Sequence, residues 1–250
     1  MRLKQVGAAV ALTASFIGWT HAAVTVEEAA GLGTTLTAVG AEQGANMDGS
    51  IPAYSGGLAT PPAGFKEGGS RPDPFAGEKP VLVIDANGVA AHADRLTEGS
   101  KALLQKYPGY RMDVYPTHRS AAFPAFVTAN TAKCATTAKA SDNGRWFEGC
   151  RAGFPFPIPG NGIEAMWNHL VRFGGVAYEV DYSNWNVDAS GQRAMSSKGT
   201  MIEEFTYWNA AATDLETLFR RRIDYTGPAR RAGDALMVIE PLSFKDKGRR

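Results

Sequence analysis

The sequence predicts an α+β fold in which an antiparallel β-sheet carries two or three helices. Three observations lead there. With 28 Gly and 14 Pro in 250 residues, turn formers are too frequent for a helical bundle. From Gly174 onward the hydrophobic period becomes two, with turn signals between successive runs. Ahead of those runs, Ile163, Met166, Trp167 and Leu170 fall at i, i+3, i+4 and i+7, one apolar stripe of a helix that Asn161 can cap. The composition, 44% hydrophobic and 20% charged, is that of a globular chain, and the length allows one or two domains with a buried core.

Residues 1–22 read as a secretory signal peptide. Arg2 and Lys4 form a basic start, Val6–Trp19 an apolar run, and Thr20-His21-Ala22 puts small residues at the −3 and −1 positions of a cleavage site between Ala22 and Ala23. A bilayer span needs about 20 apolar residues, so this shorter run is not expected to be an integral membrane anchor. The mature chain is expected in the periplasm.

Thr25-Val-Glu-Glu28 is a capping-box pattern for a short helix. The rest of residues 23–80 is rich in Gly, Pro, Ser and Asn and reads as an irregular N-terminal arm, with a disordered linker as the alternative. The main domain is expected over 81–242. Val81–Ile84 suits a short strand, 88–95 and 98–107 suit helices, and Thr97 is a plausible N-cap. Gly153-Phe-Pro-Phe-Pro-Ile-Pro159 loses every second backbone donor and should be extended. The helix follows at 161–172. Strands are then expected over 176–182, 193–208, 215–225 and 235–239, with turns at Asp188–Gly191 and Ala232–Asp234; 215–225 also has fair helix propensity, and its alternation favours strand. Residues 243–250 look like a polar tail.

Cys134 and Cys150 are the chain's two cysteines. Export favours a disulfide. Ser141-Asp-Asn-Gly144 is a turn signal, and the midpoint of the two cysteines, 142, lies within one residue of its centre, so the pair is expected to face across a hairpin. A closed loop of that size contributes about 3 kcal/mol in the chain-entropy model.

Little in the sequence points to catalysis. No HExxH, GxSxG, Walker or GxGxxG pattern occurs, and no cofactor, metal site or catalytic residue is expected. His118, in Tyr115-Pro-Thr-His-Arg119, fits a structural hydrogen bond better than a general base. Glu203 and Glu204 are strand neighbours facing opposite sides, so they cannot pair as acid and base. Arg220, Arg221, Arg222, Arg230 and Arg231 suit a solvated edge strand, with an acidic headgroup or partner as the other reading. Lys plus Arg number 26 against 25 for Asp plus Glu, which gives no general attraction to nucleic acid.

Leu32-Gly-Thr-Thr-Leu-Thr-Ala-Val-Gly-Ala-Glu42, Asp48-Gly-Ser-Ile-Pro-Ala-Tyr54, Tyr107–Arg119, Gly153–Pro159 with Trp167-Asn-His-Leu170, and Pro228–Leu236 together resemble the domain of unknown function 1329 family. The resemblance runs from about residue 24 to 242. It implies export in Gram-negative bacteria and a fold similar to the lipoprotein carriers LolA and LolB, a curved antiparallel half-barrel with helices closing an apolar groove. It also implies company with outer-membrane proteins and RND-type exporters. Family chains are much longer, so the resemblance implies an incomplete, C-terminally truncated barrel: a truncated product, a fragment, or a protein completed by a partner.

The function expected on these grounds is non-enzymatic binding or shuttling of a lipid or other apolar molecule. Trp167, Tyr178, Tyr182, Phe205 and Trp208 are the expected groove lining. The alternative is a non-catalytic assembly factor for an outer-membrane or RND-type export system.

Overall fold

The computed structural model describes residues 24–141, 143–213 and 216–242. The expected signal segment, its Ala22–Ala23 cleavage site and the tail at 243–250 lie outside the described residues. The described chain is a mixed fold of antiparallel sheets and a few helices, and no closed barrel is present among the described residues.

Helix α1 is a single turn, Val26–Ala29. It is held by the capping box: Thr25 Oγ1 accepts from the Glu28 backbone, and Glu28 Oε2 accepts from the Thr25 backbone at 2.8 Å. No helix or strand follows until β1, Leu82–Ile84. The intervening arm is nonetheless fixed by polar contacts. The Arg119 guanidinium donates to the carbonyls of Glu42 (2.6 Å), Gln43 (3.3 Å), Gly44 (3.3 Å) and Pro52 (3.4 Å), and it lies 5.3 Å from the Tyr54 ring centroid. The Tyr54 hydroxyl donates to Ala121 O at 2.7 Å. Gly40 and Gly57 have positive φ, and a Cβ at either would overlap the carbonyl oxygen of Pro157 or Ala121. His118 does form the expected polar contact: Nε2 lies 2.8 Å from Glu78 Oε1, and its ring stacks on Phe75 at 3.8 Å.

Strand β1 pairs antiparallel with β2, Met112–Val114. Between them come a 3-10 turn, Ala90–Arg95, and α2, Glu98–Lys106, which Thr97 caps through the Ser100 amide. Ile84, Val89 and Leu104 form the small core of this unit.

A helix the sequence did not announce, α3, runs Ala125–Thr137. Val127, Thr131, Cys134 and Ala135 are its buried positions, spaced i, i+4, i+7 and i+8. Thr131 is buried at no cost in unmet polar groups. Its hydroxyl donates to Val127 O (2.8 Å) and accepts from Phe154 N (3.0 Å). The hairpin follows as two-residue strands, β3 Lys139–Ala140 and β4 Phe147–Glu148.

The disulfide Cys134–Cys150 is present, with its Cα atoms 4.9 Å apart. The expected geometry needs correction. The ladder pairs Lys139 with Glu148, so Thr137, rather than Cys134, would stand opposite Cys150 if the strands continued. The chain is helical there, and one turn lies between residues 134 and 137. That turn puts Cys134 on the same side of the helix as Thr137, whose hydroxyl donates to Gly149 O at 2.6 Å.

Helix α4, Gly162–Leu170, starts at Asn161, whose side chain accepts from Glu164 N. Of its expected stripe only Trp167 is buried; Ile163, Met166 and Leu170 are about half exposed, at 47, 55 and 50%. The buried side is instead Glu164, Trp167 and Val171. Glu164 belongs there because it accepts from Gly160 N (2.7 Å) and Asn161 Nδ2 (3.0 Å).

The main sheet is a meander in the order β5 Ala177–Val187, β6 Arg193–Glu204, β7 Thr217–Gly227 and β8 Ala235–Pro241. Strand β6 ends at Glu204, short of the expected 208, and the chain turns into a 3-10 segment, Thr206–Trp208. Tyr207 and Trp208 enter the larger core, with Val127, Phe147, Phe156, Trp167 and Val171.

Two outcomes follow. Unfolded, non-reduced protein should contain no titratable thiol, and Cys150→Ala should lower stability by about 3 kcal/mol, read from the urea midpoint. Arg119→Ala should open the arm to limited proteolysis near residues 42–52 and leave the far-ultraviolet spectrum of the remainder in place.

Candidate functional site

Strand alternation and register divide the main sheet into two faces. One carries Glu179, Asp181, Thr200, Glu204, Arg220, Arg222 and Asp224, together with the exposed Ile202, Met237 and Ile239. There Arg222 holds Asp224 through Nε and Nη2, which raises the guanidinium pKa. Thr200 donates to Asp181 at 2.6 Å. This is a wet face.

The opposite face is apolar. One row across it is Val180, Met201, Ile223 and Leu236; the next is Tyr178, Glu203, Arg221 and Val238. Tyr182, Gly199 and Tyr225 lie beyond the first row. Phe205 and Phe219 close the other end, their ring centroids 6.1 Å apart, and Tyr178 sits 6.3 Å from Phe205. Val180 and Leu236 remain 38 and 43% exposed. No helix among the described residues packs extensively on this face; the Thr206–Trp208 turn packs against β7.

In the middle of the apolar face is a polar triad. The Tyr178 hydroxyl donates to Glu203 Oε1 at 3.1 Å, and Arg221 Nε donates to Oε2. Glu203 is 1% exposed, whereas the Arg221 side chain keeps 33% of its surface. Burial, and then the bond to Glu203, push the Tyr178 phenol above the ordinary tyrosine range. Arg221 also lies over the Phe219 ring at 5.0 Å. Beyond a weak interaction with the Tyr178 hydroxyl, its terminal nitrogens have no close hydrogen-bond partner among the described residues.

The five residues expected to line a groove do not share one surface. Tyr178 and Tyr182 lie on the apolar face, and Phe205 borders it. Trp167 and Trp208 are core residues, 5 and 1% exposed. Their indole N–H groups donate to Gly144 O (3.0 Å) and Val171 O (2.9 Å), so neither ring is open to a ligand. The arginines need a second correction. Strand β7 is interior in the sheet, so Arg220, Arg221 and Arg222 do not guard an edge; the edges are β5 and β8. Arg231 stacks on Tyr225 at 3.7 Å.

A cavity beside the arm, lined by Ala135, Ala138, Phe156, Pro157 and Ile158, measures about 50 Å³, too small for a lipid chain. Among the described residues no cluster of His, Cys, Asp and Glu is arranged to hold a metal, and no helix is long and apolar enough to cross a membrane.

This chain belongs to the family described as "Protein of unknown function (DUF1329)", which matches residues 83–250. It is 39% identical over 227 residues to an uncharacterized protein of Pseudomonas aeruginosa, PA3922. That match covers 89% of this chain and 50% of the relative, so the chain spans about half the length of the curated relative it matches. No solved structure matches the chain.

The triad makes an asymmetric prediction. Removing Arg221 strands a buried carboxylate, whereas removing Glu203 frees a cation that can already reach water. Arg221→Leu should therefore destabilise by about 3 kcal/mol or more, and Glu203→Leu by less, in paired urea titrations.

Proposed function

We propose that this protein binds or shuttles a lipid or other apolar molecule in the cell envelope, without catalysing a reaction, and that the apolar face of the main sheet is where the molecule rests. The observation that carries this reading is the partly exposed row Val180, Met201, Ile223 and Leu236, flanked by Tyr178, Phe205 and Phe219. Each Å² of apolar ligand surface buried there contributes about 25 cal/mol. Exposed apolar patches of a few hundred Å² mark interaction sites in soluble proteins.

On this reading residues 1–22 direct the chain to the periplasm, and the sheet is the open half of a LolA/LolB-like barrel whose concave side faces the ligand. The lining of the proposal is Tyr178, Tyr182 and Phe205 with the aliphatic row; Trp167 and Trp208 support it from the core.

A second reading rests on β8, an edge of the sheet among the described residues. It exposes Leu236, Met237 and Ile239, at 43, 61 and 61%, and has no Lys, Arg or Pro before Pro241 to discourage pairing. A strand of an outer-membrane or RND-type partner could add there, which is the assembly-factor alternative.

The test is binding of the neutral probe N-phenyl-1-naphthylamine by native protein. Bound probe should be displaced by a long-chain lipid, and Leu236→Asp should weaken binding by about tenfold. A folded monomer that leaves the probe in water would remove the carrier reading and leave the edge-pairing one.

A further inference from the structure

The triad on the apolar face is not explained by stability. An all-apolar row would pack as well and would not require a buried carboxylate. Glu203 uses both of its oxygens inward, one for Tyr178 and one for Arg221 Nε. Arg221 is thereby pinned chiefly through Nε, while its terminal fork has only a weak further interaction with the Tyr178 hydroxyl and one third of the side chain stays exposed. The Phe219 ring beneath it limits its swing. A guanidinium held this way is a preorganised donor pair, matched to an oxyanion that can take two parallel N–H bonds.

We infer that the apolar face takes an anionic amphiphile, a long-chain carboxylate, with its head on the Arg221 fork and its chain along the row Val180, Met201, Ile223 and Leu236. The inference rests on the carrier reading above and names its ligand class. Charge selects the carboxylate. Glu203 already balances the Arg221 charge, so the fork tolerates a singly charged head better than a phosphate monoester, which would bring nearly two charges beside Glu203. Geometry selects a chain rather than a small acid. From Arg221 to Tyr225 the strand runs about 13 Å, and the four strands span about 14 Å, so the apolar floor extends well past the fork. The Tyr225 end is bordered by Arg231, stacked on that ring.

The experiment compares cis-parinaric acid with its uncharged methyl ester by fluorescence titration at neutral pH. Wild-type protein should bind the acid about tenfold or more tightly than the ester. Glu203→Gln removes the competing carboxylate and should widen that ratio. Arg221→Gln should bring the ratio to about one. Because Arg221→Gln leaves Glu203 unpaired, the double variant Glu203→Gln/Arg221→Gln repeats the test with no buried charge. Equal binding of acid and ester by wild type, or an acid preference that survives the double variant, overturns the inference and leaves the carrier reading standing. Displacement of the probe by millimolar acetate also overturns it, since a site for any small anion does not need the apolar floor. If neither acid nor ester binds, the carrier reading fails and takes the inference with it.

Discussion

Tyr207 and Trp208 join the sheet to the helices, and the rest of the molecule is arranged around that junction. Strand β6 stops at Glu204, and the 3-10 turn that follows drives two adjacent aromatic rings into the core. The rings cross at 89° with centroids 5.2 Å apart, so each faces a different part of the surrounding structure. Tyr207 reaches Phe147 of the hairpin and donates to Gly153 O at 2.6 Å. Trp208 contacts Phe154 and Phe173 and donates to Val171 O. Both polar atoms are thus satisfied inside an apolar cluster, which burial otherwise penalises by about 1–3 kcal/mol each. Burial accordingly pushes the Tyr207 phenol far above its ordinary range.

Among the described residues, this junction leaves the apolar face of the sheet without a covering layer. Helices α3 and α4, the hairpin and the Pro-rich segment pack around the end of β6, not across the strands. The disulfide ties α3 to the segment leading into Gly153, so these pieces act as one block at the strand end. Apolar side chains on that face therefore have neighbours in the sheet plane but, among the described residues, no layer above them. Val180 and Leu236 stay partly exposed for that reason, and the apolar face is available as an interaction surface in a way the tryptophans are not.

Much of the sheet was legible because alternation over long strands is a strong signal. Tyr178, Val180 and Tyr182 fell on one side, and the turns at Asp188–Gly191 and Ala232–Asp234 were marked by their residues. The capping residues Thr25, Thr97 and Asn161 were likewise readable from local chemistry. Helix α3 was not, because its buried stripe is built of Val, Thr, Cys and Ala. A hydrophobic period is hard to see when one core position is a threonine satisfied by a carbonyl one turn back. The stripe on α4 misled for the opposite reason: Glu164 is buried by three local hydrogen-bonding roles, while Ile163, Met166 and Leu170 face outward. Spacing identifies a face of a helix, but which face is covered depends on where the neighbouring chain runs. The same limit applied to the site. Sequence could place Glu203 and Arg221 on strands, yet only register puts them opposite each other beneath Tyr178.

The pair also favours the observed register. A one-residue slip of β6 against β7 would turn Glu203 toward the wet face and leave Arg221 on the apolar face without its carboxylate. Slipping two residues would restore the face but set Arg221 opposite Met201 or Phe205, with Glu203 buried and unpaired. The bulges at Lys198/Gly199 and Thr217/Phe219 lie on either side of the Glu203–Arg221 rung and absorb the irregularity beyond it. Gly199 permits one of them, since a Cβ there would overlap the Asp224 carbonyl. A buried ion pair adds little to stability compared with a packed apolar row, but it penalises every wrong alignment. The triad therefore serves the sheet as a register pin. The same pinning fixes the exposed fork of Arg221 at one place on an otherwise featureless apolar floor.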